Sequence, residues 1–325
     1  MSEEQFESRL NLEAIQQKIG LIKKEIGQVV IGQKQLIDLM IVALLSDGHV
    51  LIEGVPGIAK TLTSKLMAKT LGIGFSRIQF TPDLMPSDVV GTSVFNMKSG
   101  EFEYKKGPIF SNVILIDEIN RAPAKTQAAL FEVMEEYQVT VDGKTHPMSL
   151  PFLVLATQNP VDQEGTYRLP EAQLDRFIFK AVVNYPSTQE EVALLNNVNT
   201  NKKHDDVKNI NEVISGAEIA EFRDIVIKVH VEEKLIAYIA QIVAETRENP
   251  SLYLGASPRA SIALLKASKA LAIISGRDFV TPEDIKFLSK PVLRHRVILT
   301  PEREMEGKTT DEIIEMIVNK IEVPR

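Results

Sequence analysis

His49-Val50-Leu51-Ile52-Glu53 runs directly into Gly54-Val55-Pro56-Gly57-Ile58-Ala59-Lys60-Thr61, and the reading of the fold starts from that junction. The first five residues are a short apolar run of strand type, and the next eight are punctuated by Gly and Pro. Leu62, Leu66, Met67 and Thr70 then continue as a helix. Strand, Gly-rich loop and helix in this order let loop amides and a helix N-terminus present positive dipoles to phosphates. Lys60 would reach the β- and γ-phosphates, and the Thr61 hydroxyl would ligate Mg2+. One position departs from the generic pattern: Ala59 stands at its second glycine.

Outward from this loop the pattern alternates. Apolar or β-branched runs at 49–53, 76–80, 113–116, 152–156 and 178–183 are separated by helical or irregular stretches, which predicts a parallel sheet covered on both faces. Leu12, Ile15, Ile19, Ile22 and Ile26 form one stripe of an amphipathic helix before it, and a second helix is expected up to about Ser46. Residues 81–110 carry too many Gly and Pro for one helix, and Asp142-Gly143 within 137–150 signals a hairpin. From Ser187 on, apolar residues recur at helical spacing, with caps at Ser187 or Thr188, Ser257 and Thr281. The division expected is an α/β domain over 1–186 and an all-helical domain over 187–325.

Val113-Ile114-Leu115-Ile116-Asp117-Glu118 is a buried strand ending in two carboxylates. Ligands of open α/β sheets bind at the C-terminal ends of strands, so Asp117 would hold hydrated Mg2+ and Glu118 would orient the attacking water. The strand at 152–156 ends in Thr157-Gln158-Asn159-Pro160, placing the Asn159 amide beside Glu118. Arg176, after Asp175, is either a salt-bridge partner of that aspartate or a charge presented to a neighbouring subunit's nucleotide. Arg259 falls in the first turn of a helix, against the positive helix end, which suggests an external anion.

Composition narrows the function. The chain has 325 residues, no Cys and a net charge of −7, excluding disulfides, thiolate metal sites and a Cys nucleophile. Basic and acidic residues number 18 and 22 up to Pro186 and 19 and 22 after it, so neither half has the basic footprint of a nucleic-acid binder. The five His are dispersed, arguing against a protein-built metal site. No apolar run approaches a membrane span, and the acidic N-terminus does not read as a secretory signal, so a cytoplasmic location is expected.

Taken together these motifs resemble the AAA+ ATPases, and within them the MoxR family. Gly-Val-Pro-Gly-Ile-Ala-Lys-Thr is similar to that family's phosphate loop, Ala59 included, and Pro82–Asp88, Asp117–Ala122, Ala156–Pro160 and Gly255–Arg259 also resemble it. The resemblance extends from Val30-Ile31-Gly32-Gln33 to Leu293-Arg294-His295-Arg296. It implies a P-loop NTPase: a parallel five-stranded sheet sandwiched by helices, then a smaller all-helical lid. Residues 81–110 become the helix-2 insert and 137–150 the pre-sensor hairpin. It makes Asn159 the sensor-1 residue, Arg176 the finger acting in trans with Arg168 as the alternative, and Arg259 the sensor-2 arginine. On this reading the helical half closes over the nucleotide. Val30 and Ile31 would line the adenine pocket, and Gly54 to Leu62 the rest of the nucleotide site.

The activity implied is Mg-dependent hydrolysis of ATP in a homo-oligomeric ring, expected to be a hexamer. Turnover would remodel client proteins, assemble complexes or insert cofactors, with a von Willebrand A domain protein as a possible partner. A metal-chelatase motor subunit, a nucleic-acid motor and a nucleotide-gated scaffold are the alternatives. Phe95, Phe102, Tyr104 and Phe110 of the insert would either grip a client or pack on their own domain.

Overall fold

The structure, a computed structural model, describes residues 12–55, 57–159, 167, 169–199 and 210–324. The five expected strands are β1 (His49–Gly54), β2 (Phe75–Gln79), β5 (Val113–Asp117), β8 (Leu153–Gln158) and β9 (Phe177–Val183). They form one parallel sheet in the order β2-β5-β8-β1-β9. All of β5 and all but the last residue of β8 are buried, as central strands covered on both faces must be.

Because every strand points the same way, the loops that leave their C-terminal ends share one edge of the sheet. Pairing of Glu53 with Gln158 and of Gln79 with Asp117 puts the ends of β1, β8, β5 and β2 in one row. The opposite edge gathers the strand starts, where His49 faces Phe177. That polarity sorts the candidate residues into two groups.

Helix α1 (Glu13–Gly27) buries Ile15, Ile19, Ile22 and Ile26, the stripe read from the sequence. It packs against α3 (Lys60–Thr70) and α10 (Pro258–Ile274), bridging the sheet domain and the lid. Helix α2 (Lys34–Leu45) is almost wholly buried between β1, β9 and the lid.

Residues 81–110 contain α4 (Pro86–Val90) and a hairpin of β3 (Gly91–Asn96) and β4 (Glu101–Lys106). Gly91 turns the helix into the hairpin at φ 104, where an added Cβ would lie 2.2 Å from the Lys105 carbonyl oxygen. The second hairpin pairs β6 (Gln138–Val141) with β7 (Lys144–Pro147), and Asp142 and Gly143 both take positive φ, as the Asp-Gly signal requires. The two hairpins are joined. Tyr104 stacks on His146 with centroids 4.3 Å apart, and Ser93 donates to Asp142 at 2.5 Å. The insert aromatics therefore divide: Tyr104 and Phe110 pack on each other, while Phe95 and Phe102 form an exposed cross-strand pair.

The lid comprises α8 (Gly216–Ile227), α9 (Glu233–Glu248), α10, α11 (Pro282–Leu293), α12 (Pro301–Met305) and α13 (Thr310–Lys320). It is not purely helical, in correction of the expectation from sequence. β10 (Leu252–Leu254) and β11 (Ile298–Leu299) form a small antiparallel ribbon. Strands of two and three residues are too short to carry a readable alternation, and pairing satisfies their backbone groups. The segment after α11 fastens the lid to the sheet. Arg296 donates to Asp175 Oδ1 at 2.6 Å and to the carbonyls of Phe177 and Ile178, and His295 Nε2 lies 2.9 Å from the Phe177 carbonyl oxygen. No helix among the described residues is long and apolar enough to cross a membrane.

Candidate active site

The phosphate loop leaves β1 at Gly54, and the structure shows what Ala59 does there. Ala59 is the N-cap of α3 in the left-handed conformation, φ 60 and ψ 20. A glycine adopts that geometry without cost, whereas a Cβ costs about 1–2 kcal/mol. Gly57, at φ 86, makes the other left-handed step. Pro56 lies outside the described residues.

Gly54, Gly57, Ile58, Ala59, Lys60, Thr61, Leu62, Asp117, Glu118 and Asn159 line one cavity of about 530 Å3 at the C-terminal edge of the sheet. Lys60 Nζ donates to the carbonyls of Gly54 and Val55, the latter at 3.2 Å. Burial pulls the Lys60 pKa down from its ordinary value, opposed by Asp117, Glu118 and Glu53. An anion beside that ammonium would favour its charged form further.

Asp117 is buried at the end of β5, and Arg77 Nε donates to its Oδ2 at 2.6 Å. Glu118 leaves the strand in left-handed geometry, φ 56 and ψ 54, which swings its side chain into the cavity mouth. Its Oε2 accepts from Arg121 at 2.9 Å and from Gln79 at 3.2 Å. Thr157 Oγ1 ties the acidic pair together, accepting from the Glu118 amide at 3.0 Å and donating to Asp117 Oδ1 at 3.3 Å. The hydroxyl of Thr61 and the carboxylate of Asp117 are hard oxygen donors in one cavity, a set that suits Mg2+ completed by phosphate and water.

Arg77, Gln79, Arg121 and Thr157 were missed in the sequence. The signal available was period-two alternation of Arg77 and Gln79 around Ile78, on a strand whose neighbour only the strand order reveals.

Val30 and Ile31 line a different cavity, of about 490 Å3, with Gly27, Lys34 and Glu190. The adjoining Gly32 and Gln33 abut Ala181 to Tyr185 at the end of β9, so this loop shares the phosphate loop's edge of the sheet.

Arg176 and Arg259 are elsewhere. Arg176 immediately precedes β9, and Arg259 opens α10; both meet Glu135 near the end of α5 (Ala124–Glu136), at 2.5 and 3.1 Å. The adjacent Met134 carbonyl bonds His49, the first residue of β1. These arginines thus sit at the opposite edge of the sheet from Lys60. The expectation that Arg259 brings the helical half over the chain's own nucleotide is corrected: Arg259 does not line the phosphate cavity, and its partner within the chain is Glu135. Asp175 pairs with Arg296 rather than Arg176. Arg168, the alternative finger, lies outside the described residues.

Strand order, left-handed phosphate loop and acidic pair define a P-loop nucleotide hydrolase. The AAA_3 family, described as ATPase family associated with various cellular activities (AAA), matches residues 49–179, and the AAA lid domain family matches 244–317. YeaC of Bacillus subtilis is 46% identical over 306 residues, spanning 94% of this chain and 95% of that protein. Chaperone MoxR1 of Mycobacterium tuberculosis is 41% identical over 310 residues, spanning 93% and 81%. A crystal structure from Cytophaga hutchinsonii, of a protein assigned as an ATPase, superposes with a TM-score of 0.88 at 45% identity, covering 95% of this chain and 96% of that one. The chain belongs to the MoxR-type AAA ATPases, and it is a P-loop ATPase.

Proposed function

We propose that the cavity takes ATP with Mg2+ and that hydrolysis occurs in a closed ring, expected to be hexameric, where each subunit's Arg176 and Arg259 act on its neighbour's nucleotide. The observation that carries this reading is the placement of Lys60 and the two arginines at opposite ends of β1. Six residues of strand span roughly 17–20 Å, too far for both to meet one γ-phosphate. A second subunit docked edge to edge removes the conflict.

Within a subunit, the loop from Gly54 through Val55 and Pro56 to Leu62 cradles the phosphates, and Lys60 neutralises them. Thr61 and Asp117 hold Mg2+, the latter through water. Glu118 orients the attacking water, Asn159 binds water or γ-phosphate, and Val30 and Ile31 receive the adenine. The metal supplies charge neutralisation of the phosphates when bound.

The work done is remodelling of client proteins, alone or with a von Willebrand A domain partner. Supporting this are the chaperone name of one relative, the acidic balance of both halves and the exposed Phe95–Phe102 pair. The test is Arg176→Ala in the full chain. Turnover should fall about 10³-fold or more while ATP affinity holds, since a trans arginine acts only on the transition state. Equal loss of both sinks the trans assignment, and turnover stimulated by duplex DNA redirects the client reading to nucleic acid.

A further inference from the structure

Two charges at the finger edge are each wrong for their own helix. Glu135 lies in the last turn of α5, facing the negative helix end, and Arg259 lies in the first turn of α10, facing the positive one. They pair with each other: Arg259 Nη2 donates to Glu135 Oε1 at 3.1 Å. The second oxygen of the same carboxylate, Oε2, takes Arg176 Nη1 at 2.5 Å. One anion thus holds two guanidiniums side by side, one oxygen to each, where they would otherwise repel.

The segments carrying the arginines are themselves tied down. Asp175 accepts from Arg296 through Oδ1 and from Ser257, the N-cap of α10, through Oδ2 at 2.8 Å. Arg176 Nη1 also donates to the Phe131 carbonyl, fixing its plane against α5. By contrast Glu135 and Arg259 are 40% and 53% exposed at their side chains, so the bridge adds little to stability. A carboxylate that contributes little to folding, opposes its own helix and joins two arginines of one edge needs another reason.

We infer that Glu135 is a positioning residue: its carboxylate sets Arg176 and Arg259 as a two-arginine clamp for the triphosphate of the adjoining subunit. Each guanidinium spends only part of its five N–H groups on Glu135 and the backbone, and the Arg259 side chain is half exposed. The clamp carries a net single positive charge, so it attracts a polyanion while its two members stay together. This inference rests on the trans reading above.

The test is Glu135→Gln in the full-length protein, which keeps shape and one accepting oxygen but removes the charge. kcat should fall about tenfold or more, as misplacement by an ångström costs up to ~100-fold, with KM for ATP unchanged. Glu136→Gln, in the same helical turn, should keep the parental kcat; an equal loss there would assign the effect to the helix end and overturn the clamp. Mixing then separates trans from cis. Glu135→Gln subunits hold intact phosphate loops, and Lys60→Ala subunits hold intact clamps, so the mixture should hydrolyse ATP faster than the sum of its parts. Parental kcat in Glu135→Gln, or a loss that mixing does not relieve, overturns the inference. Arg176→Ala mixed with Lys60→Ala is the reference: rescue there without rescue of Glu135→Gln removes Glu135 alone. Absence of rescue in both removes the trans reading and the clamp with it.

Discussion

Arg77 Nε donates to Asp117 Oδ2 across 2.6 Å, from the edge strand of the sheet to the carboxylate that ends its neighbour. A metal ion at Asp117 must share that carboxylate with a guanidinium 53% exposed. Such a half-exposed pair is worth about 1 kcal/mol, or roughly fivefold in binding. Arg77→Ala should therefore lower the Mg2+ concentration that half-activates ATP hydrolysis by up to about fivefold. A rise instead would mean that Arg77 orients Asp117 more than it competes for it.

Glu118 is held by Arg121 and Gln79 through one oxygen. Glu118→Gln preserves that geometry but removes the charge that polarises water, so turnover should fall by about 10²–10⁴ with ATP binding retained. Fluorescent-nucleotide titration beside single-turnover kinetics measures both. Normal hydrolysis by this variant would remove Glu118 from the mechanism.

Ala59 at φ 60 predicts an unusual response to substitution. Relief of left-handed strain by Ala59→Gly is partly offset by the greater unfolded-state entropy of glycine, leaving a net gain of no more than about 1 kcal/mol. Ala59→Val, with a β-branched side chain at positive φ, should destabilise. Denaturant midpoints of the two variants should move in opposite directions.

His49 is buried between β8 and α5, with Nδ1 accepting from the Val154 amide at 3.1 Å and Nε2 facing the Met134 carbonyl at 3.3 Å. Burial, the largest cause, lowers its pKa from 6.5 to about 4. Above pH 6.5 the ring is neutral folded or unfolded and contributes nothing to the pH dependence. Between 6.5 and 4 only the unfolded chain takes the proton, so stability falls with pH, by about 3 kcal/mol in all. His295, held well below its ordinary value by burial and then by Arg296, acts in the same direction. Unfolding free energy measured from pH 7 to 4 should show the loss, and His49→Gln should flatten part of it.

Arg296 is buried and pairs with the partly buried Asp175, joining the lid to the segment that carries Arg176. Asp175→Ala strands a buried guanidinium and should cost about 3–5 kcal/mol. The matching readout is proteolysis, with cleavage between sheet domain and lid accelerated in the variant. An unchanged digestion pattern and melting curve would refute the fastening role.

The strands, the phosphate loop, the acidic pair, the hairpin at Asp142-Gly143 and most lid helices were legible because each is written in contiguous residues, whereas the β3–β4 hairpin within 81–110 was not. Alternation, a Gly-rich turn, an Asp-Gly dipeptide and helix caps act over a few positions, and local sterics decide them. What α1 buries was legible as a stripe, though not that it bridges α3 and α10. Arg77 and Gln79 joined the site only through strand order, since nothing local states which strand pairs with β5. Arg259 shows the limit most clearly. Its unfavourable helix position called for an anion, and the sequence offered an external one. Within its own chain the carboxylate it meets is Glu135, 124 residues away, because a parallel sheet collects its strand starts at one edge and its strand ends at the other. That long-range geometry puts Arg176 and Arg259 together and sets both apart from Lys60, which no local pattern encodes.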